Sequence, residues 1–527
     1  MSDPVWIVRA PADPPRSEGT LHGLAFAVKD NIDVAGLPTS AGCPGWAHEA
    51  GETAPVVDRL LGAGAVLSGK TAMDQFATGL VGTRSPHGAL ASTLDPTRVS
   101  GGSSSGSAVA VARGEVAFAL GTDTAGSGRV PAAFNELVGV KPTRGLLSTR
   151  GVIPACASLD CVSILTHDVN LAARVLSVAM AYDNQDPWSR RWAPPTAPRH
   201  GRIAVPRPGA ITLDEPEAAA AWEEARLLAA ELWPLVEVDV GPLLEAAPLL
   251  YGGWVAERTA DLGAAIAAAP AGLDPTVASI IEAGAEVLAT DAFTAMHRLA
   301  ALRRAAEPVW EAADALLMPT TPSHPTLAAV ADDPLGVNAG LGRFTNFVNL
   351  MDLAAIAVPG PRRPDGGPFG VSLLAPAFHD FRLVELAAAW VGESVAASEP
   401  GTVTLAVAGA HLSGLPLNHQ LTERGARFAR ATRTAPAYRL LALGERPGLV
   451  RAAEGGAEIE VEVWELAPAA LGELLALIPA PLALGRVELG DGEEITGFVC
   501  EPGGALDGED ITRLGGWRAH LESLRSA

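Results

Sequence analysis

Short apolar runs alternate with longer segments of helical periodicity along the first 390 residues. The runs have the length of buried strands, and glycine-containing turns or helix-spaced segments separate them. The predicted strands include residues 24–28, 65–68, 116–120, 202–205 and 370–375, and the predicted helices include 54–61, 216–232 and 291–313. This alternation is typical of an α/β protein whose helices cover both faces of a sheet.

The pattern changes near residue 400. Residues 391–401 (VGESVAASEPG) are small and polar, as in a linker, and a new strand pattern begins at residue 402. The rest of the chain contains short β-like runs such as AYRLLAL and EIEVEVWEL, separated by glycine and proline turns. We therefore predict a larger domain over 1–390, a linker over 391–401 and a smaller α+β domain over 402–527.

Charge and composition argue against several classes of binding partner. The net charge of −22 and the pI near 4.9 argue against nucleic acid or an anionic membrane as a partner. The sequence contains neither a secretory signal pattern nor an apolar run near the roughly 18 residues of a membrane span. Its four cysteines form no CxxC pair. We expect a cytoplasmic protein without a disulfide framework, metal or cofactor.

Two serine-bearing, glycine-rich turns flank the apolar run at 116–120, in the stretch SGGSSSGSAVAVARGEVAFALGTDTAGSGRVPA. Glycine next to serine allows positive φ, close approach of a substrate and convergence of main-chain N–H groups on an anion. An acyl-transfer oxyanion needs that geometry. A single turn of this kind would more often be a linker, but two turns around one buried strand favour a catalytic interpretation.

Lysine is rare in this chain, where 35 of the 38 basic residues are arginine and the lysines are Lys29, Lys70 and Lys141. Arginine keeps its proton, whereas a desolvated lysine can lose its proton near neutrality. Lys29 closes the predicted strand 24–28, so it is either a functional amine or half of a buried ion pair. The serine turns downstream favour the amine.

The other two lysines are predicted to have no catalytic role. Lys70 lies in GAVLSGKT, which matches the phosphate-binding pattern GxxxxGK[ST]. We reject nucleotide binding because the interior of the match is apolar instead of a flexible loop. We expect Lys70 to begin a helix over 71–78, and Lys141, next to a proline, to be structural.

The serine turns and the segment LAFAVKDNIDVAG together resemble the amidase signature family. The resemblance implies an amidase signature fold, with a mixed central β-sheet wrapped by helices, and a triad of Ser127 as nucleophile, Ser103 as the cis bridging serine and Lys29 as base. It also implies an oxyanion hole formed by the backbone at Thr124, Ala125, Gly126 and Ser127. Ser105 and Ala125 replace glycines of the usual GGSSGGS and DTGGS motifs, and these replacements resemble the allophanate hydrolase branch.

The segment LLYGGWVAERTADLG contains a candidate carboxylate site. On a continuous helix, Tyr251 and Arg258 would be two turns apart on one face, and arginine can bind both oxygens of a carboxylate. The resemblance implies this role for both residues, with backbone contacts from Gly79, although the spacing is one residue longer than in the family. Alternatively, Arg258 pairs with neighbours of Glu257 on a solvated face.

The tail segment GAHLSGLPLNHQLTERGARF resembles the C-terminal domain of allophanate hydrolases. The resemblance implies that this domain completes the breakdown of the carboxylated intermediate. His411 and His419 are the candidates for proton transfer there. The alternative is that both are turn histidines without a chemical role.

The resemblance implies hydrolysis of allophanate (urea-1-carboxylate) to ammonia and carbon dioxide through an acyl-enzyme, in a homodimer coupled to urea carboxylase. A general amidase would share the triad but prefer a neutral amide. A glutaminyl amidotransferase-like subunit would share it too, but would need a partner chain. A fourth possibility concerns the C-terminal domain alone, which could be a non-catalytic binding or dimerisation module.

Overall fold

The computed structural model describes residues 4–11, 13–197, 199–395, 401–501, 503 and 508–526. The chain divides into two compact units, the first formed by Met1–Trp192 and Gly201–Ala397 and the second by Ala193–His200 and Ser398–Ala527. Of the predicted linker 391–401, residues 396–400 lie outside the described residues.

A large mixed sheet forms the centre of the first unit. The strands of this unit are β1 (Trp6–Arg9), β2 (Ala25–Lys29), β3 (Pro38–Thr39), β4 (His48–Glu49), β5 (Val66–Thr71), β6 (Phe118–Thr122), β7 (Val138–Lys141), β8 (Val162–Thr166), β9 (Ile203–Pro206), β10 (Leu235–Val238), β11 (Ala315–Pro319), β12 (Leu353–Pro359) and β13 (Gly370–Pro376). Among the described residues, eleven of them pair in the order β1-β5-β2-β6-β8-β7-β12-β13-β11-β9-β10. Strand β2 is parallel to both β5 and β6, whereas β8 is antiparallel to both β6 and β7.

Helices cover both faces of this sheet. They are α1 (Pro55–Gly62), α2 (Ser105–Ala112), α3 (Arg129–Phe134), α4 (Val169–Ala179), α5 (Pro216–Leu232), α6 (Gly241–Ala246), α7 (Gly253–Ala267), α8 (Pro275–Ala283), α9 (Ala289–Ala312), α10 (Leu327–Asp332), α11 (Gly336–Leu341), α12 (Phe347–Leu350) and α13 (Asp380–Val391). Along β11, Leu317 packs into the core under α1, α4, α5 and α13, while its neighbours Leu316 and Met318 pack into the core under α6, α9 and α12. The predicted α/β fold with a mixed, helix-wrapped sheet is confirmed.

The prediction that Lys70 begins a helix over 71–78 is wrong. Strand β5 continues through Lys70 to Thr71, because it is paired with β1 on one side and β2 on the other. A single 3₁₀ turn, Gln75–Ala77, follows it. The buried Lys70 Nζ donates to Thr39 Oγ1 (2.6 Å) and lies 3.5 Å from Asp30 Oδ1, so this lysine is the ion-paired one.

The second unit is a smaller α+β structure, as predicted. Its elements are β14 (Val403–Val407), α14 (His419–Thr422), β15 (Arg427–Arg433), β16 (Tyr438–Leu443), β17 (Arg446–Arg451), β18 (Glu460–Leu466), α15 (Pro468–Leu475), β19 (Leu482–Glu488), β20 (Glu494–Cys500), β21 (Glu509–Asp510) and α16 (Trp517–Ser526). The described strands form a sheet in the order β15-β18-β14-β20-β19 and a second in the order β17-β16-β21. Leu405, Val461 and Val487 lie in one apolar core of this unit.

Candidate active site

Lys29 ends strand β2 with its side chain fully buried. Its Nζ lies 2.8 Å from Ser103 Oγ and 2.6 Å from Thr122 Oγ1, so hydroxyl groups surround the amine. In the described part of the chain no carboxylate forms an ion pair with Lys29, in contrast to Lys70. Of the two roles that the sequence allowed for Lys29, the geometry fits the functional amine.

The environment of Lys29 lowers its pKa from 10.5 to about 7. Burial is the main cause, because a charged amine loses its hydration there. The carboxylates of Asp74, Asp160 and Asp123 act in the opposite direction and raise the pKa of Lys29 by a smaller amount. Near neutral pH a substantial fraction of this amine is therefore uncharged and able to accept a proton.

Ser103 and Ser127 belong to two turns that meet at the end of β6. Ser103 follows a cis peptide bond from Gly102, and the N–H of the next residue, Ser104, donates to the Ser127 carbonyl at 3.2 Å. Ser127 is 3% exposed, and its Oγ donates to the Gly79 carbonyl at 3.4 Å. Among the hydrogen bonds of the described residues, none joins the hydroxyls of Ser103 and Ser127.

The backbone of the second turn presents free donors. The N–H groups of Thr124, Ala125 and Ser127 donate to no group of the described residues, whereas Gly126 N–H donates to Asp123 Oδ1 at 2.8 Å. Gly126 has φ +126°, and a Cβ there would lie 2.4 Å from Thr345 Oγ1, so glycine is required. Gly126 was predicted as an oxyanion donor, but its N–H is engaged by Asp123.

Side chains from the turn region itself and from distant parts of the sequence hold this turn. Arg129 and Asp123 form a fully buried ion pair at 2.8 Å. Asn349 Nδ2 donates to the carbonyls of Asp123 (2.7 Å) and Thr124 (2.9 Å), and Thr345 Oγ1 donates to that of Ala125 (2.7 Å). No sequence pattern marks Asn349 or Thr345 as a site residue, and only Arg129, the last residue of GSGR, lies in a recognisable motif.

A small cavity of about 40 Å³ lies beside Ser127, and Gly79, Tyr251 and Arg258 also line it. Arg258 is half-buried, and it donates to Ala155 O (3.1 Å) and Thr78 Oγ1 (2.9 Å). Within the described residues it has no carboxylate partner, so the alternative that Arg258 pairs on a solvated face is wrong. Its guanidinium is available to an anionic ligand.

Tyr251 and Arg258 do not share one helix, contrary to the prediction. Tyr251 ends the 3₁₀ segment Ala247–Tyr251, and α7 begins at Gly253. The break falls at Gly252, whose φ of −101° and ψ of −112° are not helical. Tyr251 is 46% exposed, so it lies at the mouth of the cavity instead of inside it.

The second unit has a cavity of its own, of about 260 Å³, lined mostly by apolar side chains together with His411, Gln420 and Arg446. His411 Nε2 lies 3.0 Å from Gln420 Oε1, and its ring stacks on Phe498 with centroids 4.8 Å apart. Burial lowers the pKa of His411. His419 is exposed and lies outside the cavity lining, so the structure distinguishes the two histidines.

The described residues contain no group of three or more His, Cys, Asp or Glu arranged to hold a metal ion. Over the same residues, no helix has both the length and the apolar character needed to cross a bilayer. The four cysteines are buried free thiols.

Comparison with known proteins matches each unit to a known protein family. Residues 9–384 match the Amidase family, and residues 403–522 match the family described as the allophanate hydrolase C-terminal domain. The crystal structure of Kluyveromyces lactis allophanate hydrolase is similar with a TM-score of 0.87 and 38% identity, covering 99% of this chain and 94% of that one.

Two curated relatives are similar to nearly the whole chain but are much longer proteins. Urea amidolyase of Saccharomyces cerevisiae is 42% identical over 96% of this chain, which spans only 30% of that longer protein. Urea amidolyase of Lachancea kluyveri is 40% identical over 96% of this chain and again 30% of its own length. The chain therefore belongs to the Amidase family, and its amidase domain is followed by an allophanate hydrolase C-terminal domain.

Proposed function

We propose that this protein hydrolyses allophanate, releasing ammonia from its terminal amide. The observation that carries the proposal is the similarity to Kluyveromyces lactis allophanate hydrolase over 99% of the chain. The cavity supports it, because Ser127 and Arg258 both line it and the Arg258 guanidinium has no carboxylate partner among the described residues. A substrate that carries a carboxylate close to an amide can engage both Arg258 and Ser127, whereas a neutral amide would leave Arg258 without an anionic partner.

In the proposed reaction, Ser127 Oγ attacks the amide carbonyl of allophanate. Its proton passes through the Ser103 hydroxyl to neutral Lys29, which already lies 2.8 Å from Ser103 Oγ. Lys29 returns a proton by the same route to the leaving nitrogen, and ammonia departs. Water then cleaves the acyl-enzyme, which regenerates Ser127 and releases N-carboxycarbamate, a nitrogen that carries two carboxylates.

The oxyanion of the tetrahedral intermediate needs donors on the Ser127 turn. We assign that role to the N–H groups of Thr124, Ala125 and Ser127, because these three have no partner among the described residues. One such donor contributes about 3 to 4 kcal/mol in enzymes where it has been measured. Arg258, Tyr251 and the Gly79 backbone are proposed to hold the carboxylate end of the substrate.

The C-terminal domain is proposed to complete the breakdown of N-carboxycarbamate to ammonia and carbon dioxide. His411 is the candidate proton carrier, because it lines the cavity of that domain and burial favours its neutral form. A homodimer, a cytoplasmic location and coupling to urea carboxylase remain proposals from the family resemblance. A non-catalytic binding or dimerisation role remains the alternative for this domain.

The experiment is steady-state ammonia release from allophanate, malonamate and a neutral aliphatic amide, with Ser127→Ala as the control. We expect strong preference for the two carboxylated substrates and loss of all activity in Ser127→Ala. Preference for the neutral amide would leave the triad in place but remove the assignment to allophanate. It would favour a general amidase instead.

A further inference from the structure

Asp160 is a buried carboxylate, 6% exposed, between the Ser127 turn and the loop at residues 155–156. Its Oδ1 accepts a hydrogen bond from Thr124 Oγ1, and its Oδ2 accepts from the N–H groups of Ala155 (2.8 Å) and Cys156 (3.2 Å). Within the described residues it has no ion-pair partner, so neutral donors alone hold it. Burying an ionised carboxylate costs free energy, because it loses its hydration, and the hydrogen bonds from these donors must compensate for that loss.

These contacts connect Asp160 both to the Ser127 turn and to the residue that binds Arg258. Thr124 supplies one of the three N–H groups of the Ser127 turn that have no partner among the described residues. Ala155 carries the carbonyl that accepts from Arg258 Nε at 3.1 Å. One carboxylate is therefore bonded to a residue of the oxyanion turn and to the residue that orients the Arg258 guanidinium.

We propose that Asp160 is a positioning residue that fixes the separation between the oxyanion donors and Arg258, so that the substrate's reacting carbonyl and its carboxylate are held together. This inference rests on the proposed function, because it requires a substrate that carries both groups. It adds a specificity role for a residue that is not part of the lining of the Ser127 cavity.

The charge of Asp160 has a second consequence. Burial raises the pKa of Asp160 to about 6, so the group is ionised above neutral pH. The Arg258 charge lowers the pKa of Asp160, and Asp160 also raises the pKa values of Lys29 and of the thiols of Cys156 and Cys161. Asp74 and Asp123 are the other carboxylates that raise the pKa of Lys29. Removing the Asp160 charge should therefore lower the pKa of Lys29, a change that a purely structural residue would not produce.

Two variants separate the charge from the contacts. In Asp160→Asn the amide oxygen can still accept from Ala155 N–H and the amide nitrogen can donate to Thr124 Oγ1, whereas Asp160→Ala removes both contacts. Asp186→Asn is the matched control, since Asp186 is also 6% exposed and accepts from Thr149 N–H (2.6 Å) and Trp188 N–H (2.8 Å) outside the site. Thr124→Val removes only the hydroxyl that Asp160 holds.

Two measurements decide the question. The first is kcat and KM for allophanate and for a neutral amide. The second is the rate, as a function of pH, at which a fluorophosphonate modifies Ser127, followed by intact mass. The second assay reports activation of Ser127 by Lys29 without using the natural substrate.

We expect Asp160→Ala to lower kcat/KM for allophanate by about 100-fold, the loss typical of a misplacement near 1 Å, and to affect the neutral amide less. Asp160→Asn should recover part of that loss and shift the midpoint of the labelling profile to lower pH, while Asp186→Asn matches the wild type. Equal losses on both substrates together with an unchanged midpoint in Asp160→Asn would overturn the inference. If the wild type does not hydrolyse allophanate, the proposed function fails and this inference fails with it, whereas a wild type that prefers allophanate, with equal losses on both substrates in Asp160→Ala, overturns the inference alone.

Discussion

Replacing Lys29 tests whether a neutral amine drives the reaction. Lys29→Arg keeps a cation at the end of β2, but a guanidinium does not release its proton near neutral pH. Lys29→Met keeps much of the side-chain volume and removes the basic nitrogen. We expect both variants to lower kcat by about 1,000-fold, within the range that a positioned general base contributes.

The pKa of Lys29 gives the size of the pH effect. With a pKa of about 7 instead of 10.5, roughly half of the amine is uncharged at pH 7, whereas at the ordinary value only about one in 3,000 would be. Burial therefore raises the concentration of the active base by about three orders of magnitude. Because only the neutral amine accepts a proton, kcat/KM should rise with pH through about 7 and then level off.

The assay is ammonia release from pH 5.5 to 9 at constant ionic strength, for the wild type and both Lys29 variants. Lys141→Met is the control, because Lys141 is also fully buried but donates to the Pro142 carbonyl (2.6 Å) and to Cys161 Sγ, not to a serine of the site. It should keep the wild-type midpoint. Retention of more than about a tenth of wild-type kcat in Lys29→Arg would refute the proposal that Lys29 is the base.

The same pKa has a consequence for stability. The unfolded chain keeps the Lys29 proton up to about pH 10.5, whereas the folded chain releases it near pH 7, so between these values the unfolded state binds more protons. The Lys29 contribution to stability therefore rises with pH across that window and is lost as pH falls towards 7. Lys29→Met removes this dependence. Its Tm should exceed that of the wild type most clearly at pH 7, and the difference should shrink as pH approaches 10.

Two further predictions concern substrate recognition and the C-terminal domain. Arg258→Ala should raise KM for allophanate and malonamate by about 10- to 100-fold, the worth of one charge-assisted contact, with little change for a neutral amide. Steady-state kinetics with the exposed Arg298→Ala as control checks this, and equal effects on all substrates would remove Arg258 from carboxylate recognition. His411→Ala should release the first ammonia at the wild-type rate while N-carboxycarbamate accumulates, as followed by rapid quench, with the exposed His419→Ala as control. Normal release of both ammonia molecules would favour a non-catalytic C-terminal domain.

The sequence predicted those features that local patterns encode. An apolar run that ends in lysine gave strand β2 with Lys29 at its end, and the alternation of strands and helices gave the fold class. The predicted strand at 65–68 ends before the observed β5 does, because Lys70 and Thr71 were predicted to lie at the start of a helix. Pairing with β1 and β2 overrides that preference, and only the folded sheet shows the pairing.

The sequence contained evidence against the prediction that Tyr251 and Arg258 share one helix. Gly252 and Gly253 stand between Tyr251 and the helix that carries Arg258, and glycine is a poor helix former. The seven-residue spacing suggested a common face, but the backbone leaves the helical region at Gly252. The two side chains nevertheless line one cavity, because the 3₁₀ segment delivers Tyr251 to its mouth.

The residues that hold the Ser127 turn could not be found from local pattern. Asn349 is 226 residues from Asp123, whose carbonyl it binds, and Thr345 is 220 residues from Ala125. Neither lies in a motif that indicates such a contact. These long-range hydrogen bonds to backbone carbonyls depend on where α12 and the turn that precedes it lie in the fold, and the fold of the whole unit determines that position.

Three carboxylates near Lys29 hold the backbone of the site and also raise the pKa of Lys29. Asp123, Asp74 and Asp160 each disfavour the neutral amine that the proposed mechanism requires, yet each anchors a different backbone segment. Asp123 is paired with Arg129 and fixes the Ser127 turn, and Asp74 accepts from Gly82 and Arg84 N–H groups at 3.0 and 2.9 Å. Asp160 fixes the loop next to Arg258. Burial of Lys29 outweighs all three carboxylates and lowers its pKa, while the carboxylates keep that pKa near 7, a value at which the amine can both accept a proton and return it.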